Sequence, residues 1–103
     1  MQYQFICLLD DARSIAGIPF VITSGYRTKE YNQSLIDQGF KASPDSSHCK
    51  GIAVDIETKT SEDRYRIIKS LLDVNIKRIG IGKGFIHCDI DFTKHQNLIW
   101  TYY

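Results

Sequence analysis

Long apolar runs are missing from this chain: none approaches the roughly 18 to 20 residues that a membrane span requires. The first residues also lack the basic start, apolar stretch and small-residue cleavage site of a secretory signal, so neither membrane insertion nor self-export by that route is expected. An excess of one charge is missing too. Thirteen Lys and Arg stand against twelve Asp and Glu, mixed along the sequence without blocks, and the net charge of +1 names no nucleic-acid or membrane-surface partner. Cysteine is sparse. Cys7, Cys49 and Cys88 cannot all pair within one molecule, and their spacing fits neither a knotted secreted scaffold nor a CxxC zinc ribbon, so reduced thiols are expected. There is no repeat, low-complexity tract or linker, and 103 residues with 43% apolar content suit one domain over residues 1–103, expected to act as a monomer.

What is present alternates between two periods. Phe5, Leu8, Leu9, Ala12, Ile15 and Ala16 recur at helical steps from Gln4 to Ala16, and Gly17 is the stop signal. Phe20 to Thr23 has the β-branched and aromatic content of a strand, and Ser24 to Thr28 turns out of it. A second helix is expected over Lys29 to Gln38, with a thin apolar face of Tyr31, Leu35 and Ile36. Residues 42–47 are rich in turn formers and read as a loop into His48. Ile52, Val54 and Ile56 then alternate with Ala53, Asp55 and Glu57 as a strand with one buried face. Thr60 and Ser61 are placed to cap a third helix with Tyr65, Ile68, Leu71 and Leu72 as its buried stripe, ending near Asn75. Strands are expected around Ile79 to Ile81, from Phe85 to Asp91, and from Leu98 to Tyr102. This order predicts an α+β fold, a mostly antiparallel sheet with helices packed on one face.

The chemistry concentrates in two segments, Ser47 to Ile56 and Phe85 to Asp89. If Val54 and Ile56 point into the core, Asp55 faces the other side of its strand, where a carboxylate stays accessible. By the same alternation Ile86, Cys88 and Ile90 share one face, and Phe85, His87 and Asp89 the other. A catalytic zinc takes three protein ligands from His and carboxylate side chains and leaves a fourth position for water, and His48, Asp55 and His87 supply that set. A nearby carboxylate must accept the water's proton; Asp89 is the candidate base, with support of a ligand histidine as its other possible use.

These residues resemble a known family. Ser46 to Asp55 is similar to the Ser-x-His-x-x-Gly-x-Ala-x-Asp signature of the M15 metallopeptidases. Ser24-Gly25-Tyr26-Arg27 followed by Tyr31-Asn32, Gly80-Ile81-Gly82 through Phe85-Ile86-His87-Cys88-Asp89, and the aromatic end Ile99 to Tyr102 resemble further segments of its compact branch, in matching order. The resemblance implies a fold like that of hedgehog domains and D,D-peptidases and one bound zinc ion. It also implies a carboxypeptidase, dipeptidase or endolysin-type endopeptidase acting on peptidoglycan stem peptides. It casts Arg27 as the residue that steers substrate, through a terminal carboxylate or the developing oxyanion, and Ser47 is counted with it among the substrate-binding residues. Compactness and the missing signal lead to the expectation of a phage or prophage product, held in the host cytoplasm until release to the wall. One position departs: several M15 enzymes carry a catalytic Glu or Asp three residues before the last ligand histidine, where this chain has Gly84.

Two other classes stay open on sequence. A zinc-stabilised binding module for wall peptide or a protein partner would keep the ligands and lose catalysis. A thiol peptidase would use Cys49 with a histidine. Alternation argues against Cys88 in that role, because it should face the core. His95 lies in a polar stretch and is left out of the site, and Tyr26, Tyr31, Trp100 and Tyr102 could line a groove or fill the core.

Overall fold

The computed structural model describes residues 1–39 and 46–103, and it is an α+β structure. The expected loop over residues 42–45 lies outside the described residues. Helix α1 spans Tyr3–Ala16 and ends, as its sequence predicts, with Gly17 in the left-handed conformation (φ 72°), its N–H donating to the Arg13 carbonyl. Strand β1 (Ile22–Ser24) is shorter and later than expected. Helix α2 (Lys29–Asp37) is capped by the Thr28 hydroxyl, which accepts from the Tyr31 N–H. A 3-10 turn over Ser47–Lys50 leads to β2 (Ala53–Glu57), α3 (Ser61–Asp73), β3 (Arg78–Ile81), β4 (Phe85–Asp89) and β5 (Leu98–Thr101). No helix among the described residues is long and apolar enough to cross a membrane.

The strands form one sheet in the order β1-β2-β4-β3-β5, antiparallel throughout except for the parallel pair β3 and β5. Strand alternation gives the sheet two unlike faces. On one, Val54, Ile56, Ile79, Ile86 and Cys88 meet Phe5, Leu9 and Ala12 of α1 and Ile67 and Leu71 of α3, forming the core. Cys88 is fully buried there, as its alternation with His87 requires, and burial raises its thiol pKa well above the ordinary value, with Asp89 and Asp55 adding to the shift.

Helix stripes were harder to read. In α3 the buried residues are Ile67, Ser70 and Leu71, while Tyr65 and Leu72 are exposed, so the packed face is rotated by about one residue from the expected stripe. In α1 Ile15 is exposed, and in α2 the buried residue is Asn32 whereas Tyr31 faces solvent. Each helix packs through a strip narrower than its apolar content, and residues at the strip's margin end in water.

The second sheet face carries the polar residues. Register across the strands sets Asp55 opposite His87, His87 opposite Gly80, and Gly80 opposite Trp100, with Ser24 beside Asp55 at the far edge. Gly80 is a floor position. A Cβ there would lie 2.6 Å from Tyr102 Cε2 and 2.8 Å from the Trp100 indole, so glycine lets both rings approach β3 this closely.

Candidate metal centre

The row across the sheet forms the base of a cavity of about 860 Å³ that reaches from Ser24 on β1 to Trp100 on β5. Asp55 and His87 are direct cross-strand partners near its middle. His48 arrives from the 3-10 turn, whose first residues are capped by Ser46; its hydroxyl accepts from the His48 N–H at 3.2 Å. Gly51 ends that turn in the left-handed region (φ 72°), which directs the chain at once into β2. The sequence spacing of seven residues between His48 and Asp55 is thus one tight turn, one reversal and half a strand.

His48 Nε2 lies 3.3 Å and His87 Nδ1 lies 3.0 Å from the same oxygen, Asp55 Oδ1, and the ligating atoms of the three residues all fall within 4.8 Å of one another. Their partners fix which nitrogens face inward. His48 Nδ1 is 2.8 Å from the Gly25 carbonyl and must donate to it, while His87 Nε2 is 2.7 Å from Asp89 Oδ2 and must donate there. In their neutral forms the two rings would therefore each turn a lone pair toward the Asp55 carboxylate, so that three acceptors converge on one point, whereas a proton on His87 Nδ1 makes the 3.0 Å contact to Asp55 a hydrogen bond. Acceptors converge this way around a cation. The two spacings to Asp55 Oδ1, 3.0 and 3.3 Å, are close to the about 3.4 Å that would separate two ligands of a tetrahedral zinc. His48 and His87 are nearly enclosed and the Asp55 side chain keeps 20% exposure, so an opening remains on the cavity side.

Electrostatics follow from the same contacts. Burial alone would raise the Asp55 pKa, but its hydrogen bonds to His48 and His87 outweigh that and hold it down at about 2. For His87 burial disfavours the charged ring, and Asp55 and Asp89 more than offset it, raising its pKa above the ordinary value. Two stability contributions of opposite pH behaviour result. The His87 share is fully present below about pH 6.5 and is lost as pH rises through the raised folded value, whereas the Asp55 share is present above about pH 3.9 and fades only near its folded value. Metal binding needs the neutral ring, so loading reverses the His87 slope. Melting temperature measured between pH 6 and 8.5 should fall with pH in chelator and rise with pH in zinc; two parallel curves would refute the arrangement.

The remaining expected site residues are distributed unevenly. Arg27 lines the cavity; its N–H donates to the His48 carbonyl at 3.1 Å, and its side-chain Nε is buried with no partner among the described residues. Asp89, the candidate base, has both oxygens engaged: Oδ2 by His87, Oδ1 by Arg78 Nε at 2.8 Å and the Asp91 N–H at 3.0 Å. Ser47 is buried, its hydroxyl donating to Asp91 Oδ2 at 2.7 Å and accepting from Lys94 Nζ at 3.1 Å, so it braces the turn under His48. Cys49 turns its thiol toward the Thr28 carbonyl at 3.7 Å and is not among the converging ligands. The His95 ring takes no part; its backbone carbonyl does, as described below. Trp100 and Tyr102 line the cavity, whereas Tyr26 and Tyr31 are exposed.

Two contributors escaped sequence reasoning. Asp91 is a buried hub that binds Ser47, Lys50 and Thr93, and those hydrogen bonds overcome burial to hold its carboxyl far below the usual range. Its signal was the Asp91-Phe92-Thr93 spacing, in which the Asp oxygen accepts from the N–H two residues on. Arg78 is the other, and its signal was parity with Gly80 on β3.

The Peptidase M15 family model matches residues 2–89, a span that contains His48, Asp55, His87 and Asp89. No curated protein and no solved structure matches the chain. On the extent of the family match, the chain belongs to the M15 peptidases.

Proposed function

We propose that the protein is a zinc-dependent peptidase of bacterial cell-wall peptides, with His48, Asp55 and His87 as ligands. The convergence of three acceptor atoms at the open floor of the cavity carries this reading. When bound there, zinc supplies a Lewis acid for the scissile carbonyl and a water of lowered pKa. The chain's own residues do the rest. Arg27 receives a carboxylate or the developing oxyanion from the β1 side, through a planar fork suited to two parallel bonds. Trp100 and Tyr102 wall the opposite side, His87 ring to Trp100 ring at 5.7 Å, and keep water from that flank. Asp89 holds His87 in the tautomer that presents Nδ1. A peptide ending in D-alanyl-D-alanine is the substrate to which the family points, with cleavage of the terminal bond or of a wall crosslink as the two forms of the activity.

One observation favours a second reading. Asp55 and Asp89 carry the only carboxylate side chains lining the cavity among the described residues; Asp55 faces the two histidines and Asp89 is clamped, while Gly84 occupies the position from which other M15 enzymes present an acid. A zinc-stabilised module that binds wall peptide without cutting it would look like this. Hydrolysis of a D-alanyl-D-alanine stem peptide and of crosslinked wall, by protein of known zinc content, separates the two. Cleavage that stops with chelator and returns with zinc is expected. Stoichiometric zinc with peptide binding and no cleavage would establish the module.

A further inference from the structure

Arg78 stands at the start of β3, directly across from Asp89 on one side and Leu98 on the other. Its side chain is 11% exposed and makes three contacts at once. Nε donates to Asp89 Oδ1 at 2.8 Å, NH1 donates to the His95 carbonyl at 2.5 Å, and the guanidinium carbon lies 4.9 Å from the Trp100 ring centre. Trp100 in turn lies against the His87 ring, and Asp89 accepts from His87 Nε2. The contacts close a circuit, His87 to Asp89 to Arg78 to Trp100 and back to His87, that holds the imidazole at Nε2 and against the Trp100 ring.

Consider what each link fixes. Asp89 alone can rotate about its side-chain torsions and drop the imidazole N–H, since a single hydrogen bond leaves the carboxylate free to turn. Arg78 and the Asp91 N–H hold its second oxygen and remove that freedom. Arg78 would itself be a long, flexible chain without the His95 carbonyl and the Trp100 face. Both of these come from residues beyond 89, outside the span that matches the family.

We propose that Arg78 is a positioning residue of the metal centre, and that the segment carrying His95 and Trp100 fixes it and so completes the site. The proposal rests on the zinc reading of His48, Asp55 and His87. A guanidinium that merely neutralises buried Asp89 would matter to folding and not to the metal, so the test reads the metal directly.

Zinc affinity of Arg78→Met, Arg78→Lys and Trp100→Leu is measured by competition with a chromogenic chelator at neutral pH. Circular dichroism of the chelated proteins monitors the fold, and cobalt-loaded samples report ligand geometry. Arg78→Met is expected to bind zinc about 10- to 100-fold more weakly, the range for residues that orient a ligand from behind, with altered cobalt absorption and a retained metal-free fold. Arg78→Lys, which keeps the charge without the fork, should recover only part of the loss, and Trp100→Leu should weaken binding in the same direction. Arg78→Met that folds and binds zinc as the parent does overturns the proposal. If Arg78→Met does not fold, Trp100→Leu decides, because it keeps both charges of the Arg78 and Asp89 pair and removes only the ring that holds the guanidinium in place; unchanged affinity and cobalt spectrum there overturn the proposal equally. A parent protein that takes up no zinc overturns the metal centre itself, a result distinct from parent-like variants.

Discussion

Replacing His87 with alanine should abolish stoichiometric zinc binding and lower hydrolysis of a D-alanyl-D-alanine peptide by about a thousandfold or more. Loss of the ion forfeits several kcal/mol of charge stabilisation at the carbonyl, and each 1.36 kcal/mol is a factor of ten. The geometry makes His87 the more telling of the two histidines. It sits in the central strand β4, opposite Asp55, and its removal takes away one ligand atom while leaving the Asp89 to Arg78 pair without the N–H it holds in place. His48→Ala should give the same loss of metal and activity through a different element. Zinc content is read by elemental analysis after dialysis, beside circular dichroism to confirm the fold. Either variant, folded and still carrying one zinc per chain, would sink the ligand assignment.

The second large effect concerns Arg27. Its buried Nε has no partner among the described residues, and an unmatched buried donor is costly unless something arrives to use it. Removing a charged partner from a desolvated pair typically costs about 2 to 5 kcal/mol, so Arg27→Ala should lower kcat/KM by about 30-fold or more with zinc content unchanged. A peptide with an amidated C-terminus separates the two roles open to this residue. If Arg27 grips a terminal carboxylate, the amidated peptide is a poor substrate for the parent and is indifferent to the substitution. If it stabilises the oxyanion, both peptides lose equally. Arg27→Ala with full activity on the free acid would remove the residue from the site.

How far these features could be read in advance differs by kind. Whatever depends on strand parity was legible: Asp55 and His87 on the open face and Cys88 in the core follow from a period of two that no packing detail can shift. The helix faces were less legible, because Tyr65 and Leu72 look as apolar as Ile67 and Leu71 and only the position of α1 decides which of them is covered. Parity with Gly80 puts Arg78 on the open face, but what it does there was not legible. Its partners are eleven and seventeen residues away and meet it only through antiparallel and parallel pairing, which sequence spacing does not encode. Asp89 was placed on the correct face, and the sharing of its two oxygens became apparent only once β3 lay beside β4.

The proposed ligands come from elements of very different stiffness. Asp55 and His87 face each other across paired central strands, while His48 rides a four-residue turn held by Ser46, the Gly25 carbonyl and the Arg27 N–H. Short turns open far more readily than interior strands. On the zinc reading, the strands would set where an ion is captured and the turn how long it is retained: the lifting of a single histidine would time release, with the sheet undisturbed and ready for recapture.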